Sequence, residues 1–416
     1  MDPIINNYTI KNNNAVINEK KIILKDKLVE LVINNKIRPK WLSKHKNIIF
    51  VIPAVYENFS KDGVLAYFTY KHKRYPAISL NNKNKITFNF NPEKAINFIL
   101  NEEHCSKKRP IYTYLPFHYH KIPLREKIYK TLKKRKNSRK NFPDWPIDNS
   151  ADILKEICIN SLRLNKKIKT KRTWPNKAKF AIVISHDIDS KQGFSKIKEF
   201  LEIEKEHGIK ASWNIVLNYF RLDYALLDRM VKEEHEICSH GYNHDNKIAY
   251  LGEKGIKKRF EKQKNLIKQY EIKGFRSPSL LVSKKLFQVA QDYFVYDSSI
   301  PDTEVTLTDS ERRGCCSIFP FFINNLVEIP ITMPMDASLI FMGYKPDEIL
   351  NLWKEKLNLI KDIGGVAVFN IHPEPRFSGN KKMMHIFEKL LEHLKNEDAW
   401  FATSGEVAEF WRKTRR

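Results

Sequence analysis

Two carboxylates and two imidazoles stand in this chain where strand-like runs end. Ser185-His186-Asp187-Ile188-Asp189 places a pair of aspartates at the close of the apolar run 180–184. Further on, Ser239-His240-Gly241-Tyr242-Asn243-His244 sets two histidines four positions apart after another short apolar piece. One aspartate and two histidines can hold a single cation and leave a coordination position for water, which a hydrolytic centre needs and a structural one usually lacks. Arg276 follows Gly274-Phe275 and His372 follows Val368-Phe369-Asn370-Ile371 in the same manner. Each residue alone has an ordinary alternative. The aspartates could be turn or cap residues, the histidines solvent-facing, the arginine half of a surface ion pair, and His372 the close of a strand.

The elements that must position these groups alternate in type. Short apolar runs at 180–184, 211–216, 236–238, 274–275, 294–296, 326–331, 366–371 and 400–402 are separated, in most cases, by helical patterns such as 195–207, 223–234, 254–270 and 346–363. That order argues for βα units. Seven or eight of them suggest a barrel rather than an open sheet, and in such barrels chemistry collects at the C-terminal ends of the strands. Asp187, Asp189, His240, His244, Arg276 and His372 all fall there. Tyr296-Asp297-Ser298-Ser299 offers further polar groups at a strand end, either for substrate contact or for a turn.

Upstream, residues 1–145 read as a smaller basic α+β domain with strand-like runs at 48–52, 64–68 and 86–90. Pro143 and Pro146 punctuate the chain, and Ser150 can cap a helix through Ile153, Leu154, Ile157 and Leu162, so residues 146–178 are expected to be a linker with one helix. The catalytic domain is expected over 179–416.

The 416 residues and 42% hydrophobic content suffice for two packed cores. Five cysteines without a Cys-x-x-Cys pair point to free thiols in a reducing compartment. The N-terminal residues lack a basic segment followed by an apolar one, and no run reaches the length of a spanning helix. A cytoplasmic protein is the expectation. With 74 Lys and Arg against 48 Asp and Glu, the net charge of +26 attracts polyanions: nucleic acid, anionic lipid or acidic glycan. No nucleic-acid reader motif is present, and the lysine and asparagine bias runs through the whole chain. Between Arg125 and Lys140, nine of sixteen residues are basic. Leu124, Ile128 and Leu132 recur there at helical spacing, so this segment could lie on an anionic membrane at its inner face; three apolar residues make a narrow stripe, which favours a solvated helix.

Asp-x-Asp after a strand, His-x-x-x-His, Gly274-Phe275-Arg276-Ser277-Pro278 and Val368-Phe369-Asn370-Ile371-His372 occur in the order that resembles the polysaccharide deacetylase family, the carbohydrate esterases with NodB homology. The resemblance runs from Phe180 onward and belongs to an Asp-x-Asp branch, since Ile188 separates aspartates that are adjacent in many relatives. It implies a distorted (β/α)7-type barrel and metal-dependent removal of N-acetyl groups from a sugar. By the same resemblance Asp187 is the general base, Asp189, His240 and His244 are metal ligands, Arg276 orients the base and His372 is the general acid. The oxyanion would meet the metal and a backbone N–H near His244 or Ser279. Gly241 stands where serine or threonine is frequent, and Ser279 where an aromatic often lines the sugar pocket. Asp336 substitutes for a missing Asp-Trp motif, and His186 is a candidate supporting group.

The expected substrate contacts are Tyr242, Ser279, Tyr296, Asp297 and Asp336; Tyr242 and Trp213 could stack on sugar faces, with core packing the readier role for Trp213. One divalent ion is the expected cofactor, zinc by default with cobalt or nickel as substitutes. The leading expectation is deacetylation of an amino sugar in a surface glycan or its lipid-linked precursor. The alternatives are hydrolysis of a non-sugar amide or cyclic imide on the same fold, or a non-catalytic glycan-binding protein.

Overall fold

The structure is a computed structural model that describes residues 14–43, 46, 48–57, 63–105, 142–165, 168, 174–305 and 312–415. The basic segment 125–140 lies outside the described residues, as does most of 166–173.

The first domain is a six-stranded mixed sheet, in the order β1 (Ala15–Ile17), β6 (Ile86–Phe88), β5 (Lys73–Leu80), β4 (Val64–Tyr70), β2 (Ile22–Ile33), β3 (Ile48–Tyr56). The twelve-residue β2 escapes a pattern search because Lys25, Asp26 and Lys27 interrupt it and Asp26 sits at φ 48°. Leu24 is buried before that break and Val29, Leu31 and Ile33 after it, out of phase. One sheet face must be covered by another layer. Helices α1 (Pro92–Leu100) and α2 (Ser150–Arg163) do so: Ile153, Leu154, Ile157, Cys158 and Leu162 share a core with Phe50, Phe68 and Phe88. The helix expected inside a linker is therefore a wall of the first domain. Its apolar residues at three- and four-residue spacing form the stripe that this sheet buries.

The second domain carries seven parallel strands: β7 (Phe180–Ile188), β8 (Ala211–Ile215), β9 (Glu236–Ser239), β10 (Gly274–Phe275), β11 (Tyr296–Asp297), β15 (Leu326–Glu328) and β16 (Val366–Ile371). They pair in chain order from β7 to β15, and β16 pairs with β7. Between β15 and β16 the ladder is not closed. Met333 N–H donates to Val368 O and Val366 N–H to Ile318 O, while Thr332 Oγ1 bonds both Val366 O and Val368 N. This is the distorted seven-stranded barrel. The short β12 (Glu304–Val305) and β13 (Arg312–Arg313) form a ribbon, β14 (Phe321–Ile323) runs antiparallel to β15, and β17 (Ala399–Phe401) pairs only with the start of β7. The eighth apolar run is thus outside the barrel.

Helices α3 (Ile197–Glu206), α4 (Tyr224–Lys232), α5 (Glu253–Glu261), α6 (Lys284–Ala290), α7 (Pro346–Ile363), α8 (Lys381–Leu394) and α9 (Ser404–Arg415) complete the domain. Strands buried on both faces read as continuous apolar runs, and β7 is buried at all nine positions. Its side chains still alternate: Ser185 and Asp187 meet Arg276 on one face, and His186 meets Glu204 of α3 on the other. Among the described residues no helix is long and apolar enough to cross a membrane.

Candidate active site

β7 ends at Ile188, just before Asp189, and β9 ends at Ser239, just before His240, with β8 between them, so chain segments far apart in sequence deliver side chains to one point. Asp189 Oδ1 lies 3.2 Å from His240 Nε2 and 3.2 Å from His244 Nε2. Among the described residues these three form a group whose ligand atoms all fall within 4.8 Å of one another. Donors at about 2.0–2.1 Å from a tetrahedral ion stand roughly 3.3 Å from each other, so the spacing fits a divalent cation. His240 Nδ1 is 2.9 Å from the carbonyl oxygen of Arg276, which orients the ring and leaves Nε2 for a cation. Burial works against the charge on Asp189, yet His244 and His240 hold its carboxyl well below the usual range. Gly241 between the imidazoles has φ 81°, a conformation that a side chain would strain.

Asp187, two residues earlier and within β7, is held on both oxygens. Oδ1 accepts from Arg276 Nη1 at 2.8 Å and Asn214 Nδ2 at 3.0 Å, and Oδ2 accepts from Asn370 Nδ2 at 2.9 Å. Oδ2 also faces His240 Nε2 at 4.0 Å and His372 Nε2 at 3.9 Å. Burial alone would raise this carboxyl, but Arg276, His240 and His372 bring it down to about 2. Arg276, itself fully buried, also donates to Ser298 O, Ser298 Oγ, Ser185 Oγ and Asn370 Oδ1. Such a fork holds a carboxylate in one orientation.

Asp336 does not stand as a substrate contact. It is 0% exposed and holds His372: Oδ1 lies 2.6 Å from His372 Nδ1, and Oδ2 accepts the His372 backbone N–H at 2.9 Å and Ser378 Oγ at 2.6 Å. Burial would lower the imidazole, but Asp336, with Asp189 and Asp187, carries it up to about 10. A protonated ring with Nε2 beside Asp187 can donate to a leaving group on that side.

Tyr296 and Asp297 are also corrected. Tyr296 is 1% exposed, with its hydroxyl 2.8 Å from Glu236 Oε1 and 3.1 Å from Cys238 Sγ. It packs where Gly274 leaves room: a Cβ there would lie 2.1 Å from the ring. Asp297 is fully buried, accepts from Ser299 N and Oγ, and adjoins Glu328, which burial and then Asp297 push well above the usual carboxyl range. Both side chains are core, because β11 begins at Tyr296 and ends at Asp297, so the pair lies within the ladder rather than beyond it.

Tyr242 and Ser279 sit on the loops after β9 and β10. Lys262 Nζ lies 4.8 Å from the Tyr242 ring centroid, and Ser279, at φ 53°, donates to Asn246 Oδ1 at 3.1 Å, tying the two loops together. Trp213 is core, stacked on His186 at 4.0 Å. His186 Nε2 lies 2.6 Å from Glu204 Oε1 behind β7, away from the carboxylates. Asn214 and Asn370 are site residues that strand-end reasoning misses. Their signal is an amide inside an apolar strand, in register with Asp187 and Ser185 respectively.

The second domain has known relatives. The polysaccharide deacetylase family model matches residues 176–295. A peptidoglycan deacetylase of Helicobacter pylori is 23% identical over 242 residues, 51% of this chain and 82% of that protein. Two solved structures align with it. A polysaccharide deacetylase from Mycobacterium smegmatis has a TM-score of 0.46 and 19% identity, over 59% of this chain and 95% of that one. One from Pseudomonas aeruginosa PAO1 has a TM-score of 0.47 and 14% identity, over 60% and 96%.

Proposed function

We propose that this chain, whose second domain is of the polysaccharide deacetylase family and so a hydrolase of carbon–nitrogen bonds outside peptides, removes N-acetyl groups from an amino sugar of a surface glycan or its lipid-linked precursor. The observation that carries the reading is the position of Asp187 Oδ2, within 4.0 Å of a candidate metal ligand, His240, and 3.9 Å of a candidate acid, His372.

Asp189, His240 and His244 would hold a divalent cation, zinc by preference from the mixed nitrogen and oxygen donors, and when bound it would supply Lewis-acid activation of water and of the acetyl carbonyl. Asp187, ionised and fixed by Arg276, Asn214 and Asn370, takes the proton from the attacking water at Oδ2. His372, held by Asp336 in its protonated form, gives a proton from Nε2 to the amine nitrogen as the acetyl–nitrogen bond breaks. An amine cannot leave as an anion, so this donor is a chemical requirement. The surface-glycan class follows the relative named for peptidoglycan. The net charge of +26 supports work beside anionic lipid, at the inner face of the membrane.

The test is acetate release from N-acetylhexosamine oligomers by the parent, Asp187→Asn and His240→Ala, with metal analysis of each. Asp187→Asn keeps its metal and loses about 10²–10⁴-fold in kcat; His240→Ala loses metal as well. Equal turnover in all three removes the catalytic assignment.

A further inference from the structure

Glu374 lies two residues beyond His372, and no role above uses it. Its carboxylate is buried, with the residue 2% exposed. Oε1 accepts the backbone N–H of Asp189 at 3.1 Å and the hydroxyl of Ser190 at 3.2 Å. Ser190 Oγ in turn accepts from Gly193 N at 3.2 Å, capping the short turn Lys191–Phe194. Oε2 is enclosed without a hydrogen-bond partner among the described residues. A Cβ on Gly193 would stand 2.4 Å from Glu374 Oε1 and 2.8 Å from its Cδ, so the carboxylate lies against backbone that has room for it only because residue 193 has no side chain.

The loop that presents this carboxylate also presents the candidate acid. Phe377 N–H and Gly379 N–H both close on Glu374 O, at 2.8 and 3.0 Å, and Ser378 N–H closes on His372 O at 3.0 Å. Ser378 Oγ then reaches Asp336, the partner of His372. The loop after β16 and the end of β7 are thus joined at Glu374. Burying a carboxylate beside a second one is costly. A site that needed only volume there would be met by an apolar residue.

We propose that Glu374 is a positioning residue for the cation site: by fixing the Asp189 backbone from the His372 loop, it sets the Asp189 carboxylate where both imidazoles reach the same ion. The inference rests on the cation site proposed above and adds the residue on which its affinity depends. Partners that orient ligands are typically worth about 10–100-fold in metal affinity.

The measurement is cobalt(II) and zinc(II) affinity of the metal-stripped full chain, by competition with a chromophoric chelator, together with the visible spectrum of the cobalt form. The proteins are the parent, Glu374→Ala, Glu374→Gln, Gly193→Ala and, as a control, Asp189→Asn. Glu374→Ala weakens affinity by about 10–100-fold and alters the cobalt spectrum. Glu374→Gln keeps an acceptor for Asp189 N–H and Ser190, and restores affinity to within a few-fold of the parent. Gly193→Ala, which displaces the carboxylate, weakens binding like Glu374→Ala. Affinity and spectrum unchanged in Glu374→Ala overturn the inference, as does failure of the glutamine to rescue. A parent that binds no more cobalt than Asp189→Asn removes the cation site itself, and this inference with it.

Discussion

Arg276 Nη1 and Asp187 Oδ1 meet at 2.8 Å with side chains 0% and 3% exposed, so this ion pair is sealed from solvent. Taking one partner away strands the other's charge in the interior, which costs about 3–5 kcal/mol. Arg276→Met is expected to lower unfolding stability by that amount in denaturant titrations. The double variant Arg276→Met/Asp187→Asn should recover part of the loss, because the orphaned charge is gone. A single variant as stable as the parent contradicts the buried pair.

His372 and Asp336 yield a pH dependence. The imidazole is raised from 6.5 to about 10, so its protonated form persists through neutrality, and its contribution to stability is complete below 6.5 and lost as pH rises through about 10. Turnover that needs the protonated ring should hold through neutral pH and decline on the same alkaline limb. Asp336→Asn removes the main raising influence, so the limb of kcat moves to lower pH. A pH–rate profile with the alkaline limb in place would remove His372 as the acid.

The same site was largely readable from strand ends, because a β/α barrel exposes the residues just past each strand and buries those within it. Spacing and that rule marked His240, His244 and one of the two aspartates; the choice of Asp189 over Asp187 as the ligand was implied by the family resemblance alone. Tyr296 and Asp297 show where the rule slips: the apolar run 294–296 places the strand two residues early, and in a two-residue strand that error turns core into surface. Asn214 and Asn370 were hidden because their roles come from register between distant strands, and Glu374 because its partners, Asp189 N and Ser190 Oγ, belong to a loop far away in sequence; local pattern encodes neither. The assignment of α2 failed for a related reason: its stripe announces a helix, while the sheet that receives it is set by the whole chain.

Tyr296→Phe separates core from substrate contact. Loss of the hydroxyl that meets Glu236 and Cys238 leaves a buried acceptor without its donor, at about 1–3 kcal/mol. Melting temperature should fall while KM for an acetylated oligosaccharide stays at the parent value. A raised KM with unaltered stability would return Tyr296 to the substrate.

Behind β7, Glu204 and His186 form a neutral buried pair 2.6 Å apart. Burial raises Glu204 from 4.5 to about 8 and lowers His186 from 6.5 to about 3. For His186, stability gained through neutrality grows as pH rises from about 3 to 6.5. For Glu204, the unfolded acid ionises first, so stability falls as pH rises from 4.5 to about 8. The two slopes cancel between 4.5 and 6.5 and leave a net decline from 6.5 to 8. Glu204→Gln keeps a donor for His186 and should flatten that decline in denaturant titrations. A parent whose midpoint does not drop over this interval contradicts the neutral pair.

Asp152, in the first turn of α2, receives Ser317 Oγ at 2.7 Å and Ile318 N at 2.8 Å, and Glu102 grips Arg313 with both oxygens. Ile318 in turn lies against the unladdered edge of β16 through Val366. A truncation that begins at the matched region, near residue 176, would discard the wall against which that edge strip is moored. A fragment that folds unaided is therefore expected to reach back into the first domain, and one cut at the matched region is expected to be less stable than the full chain.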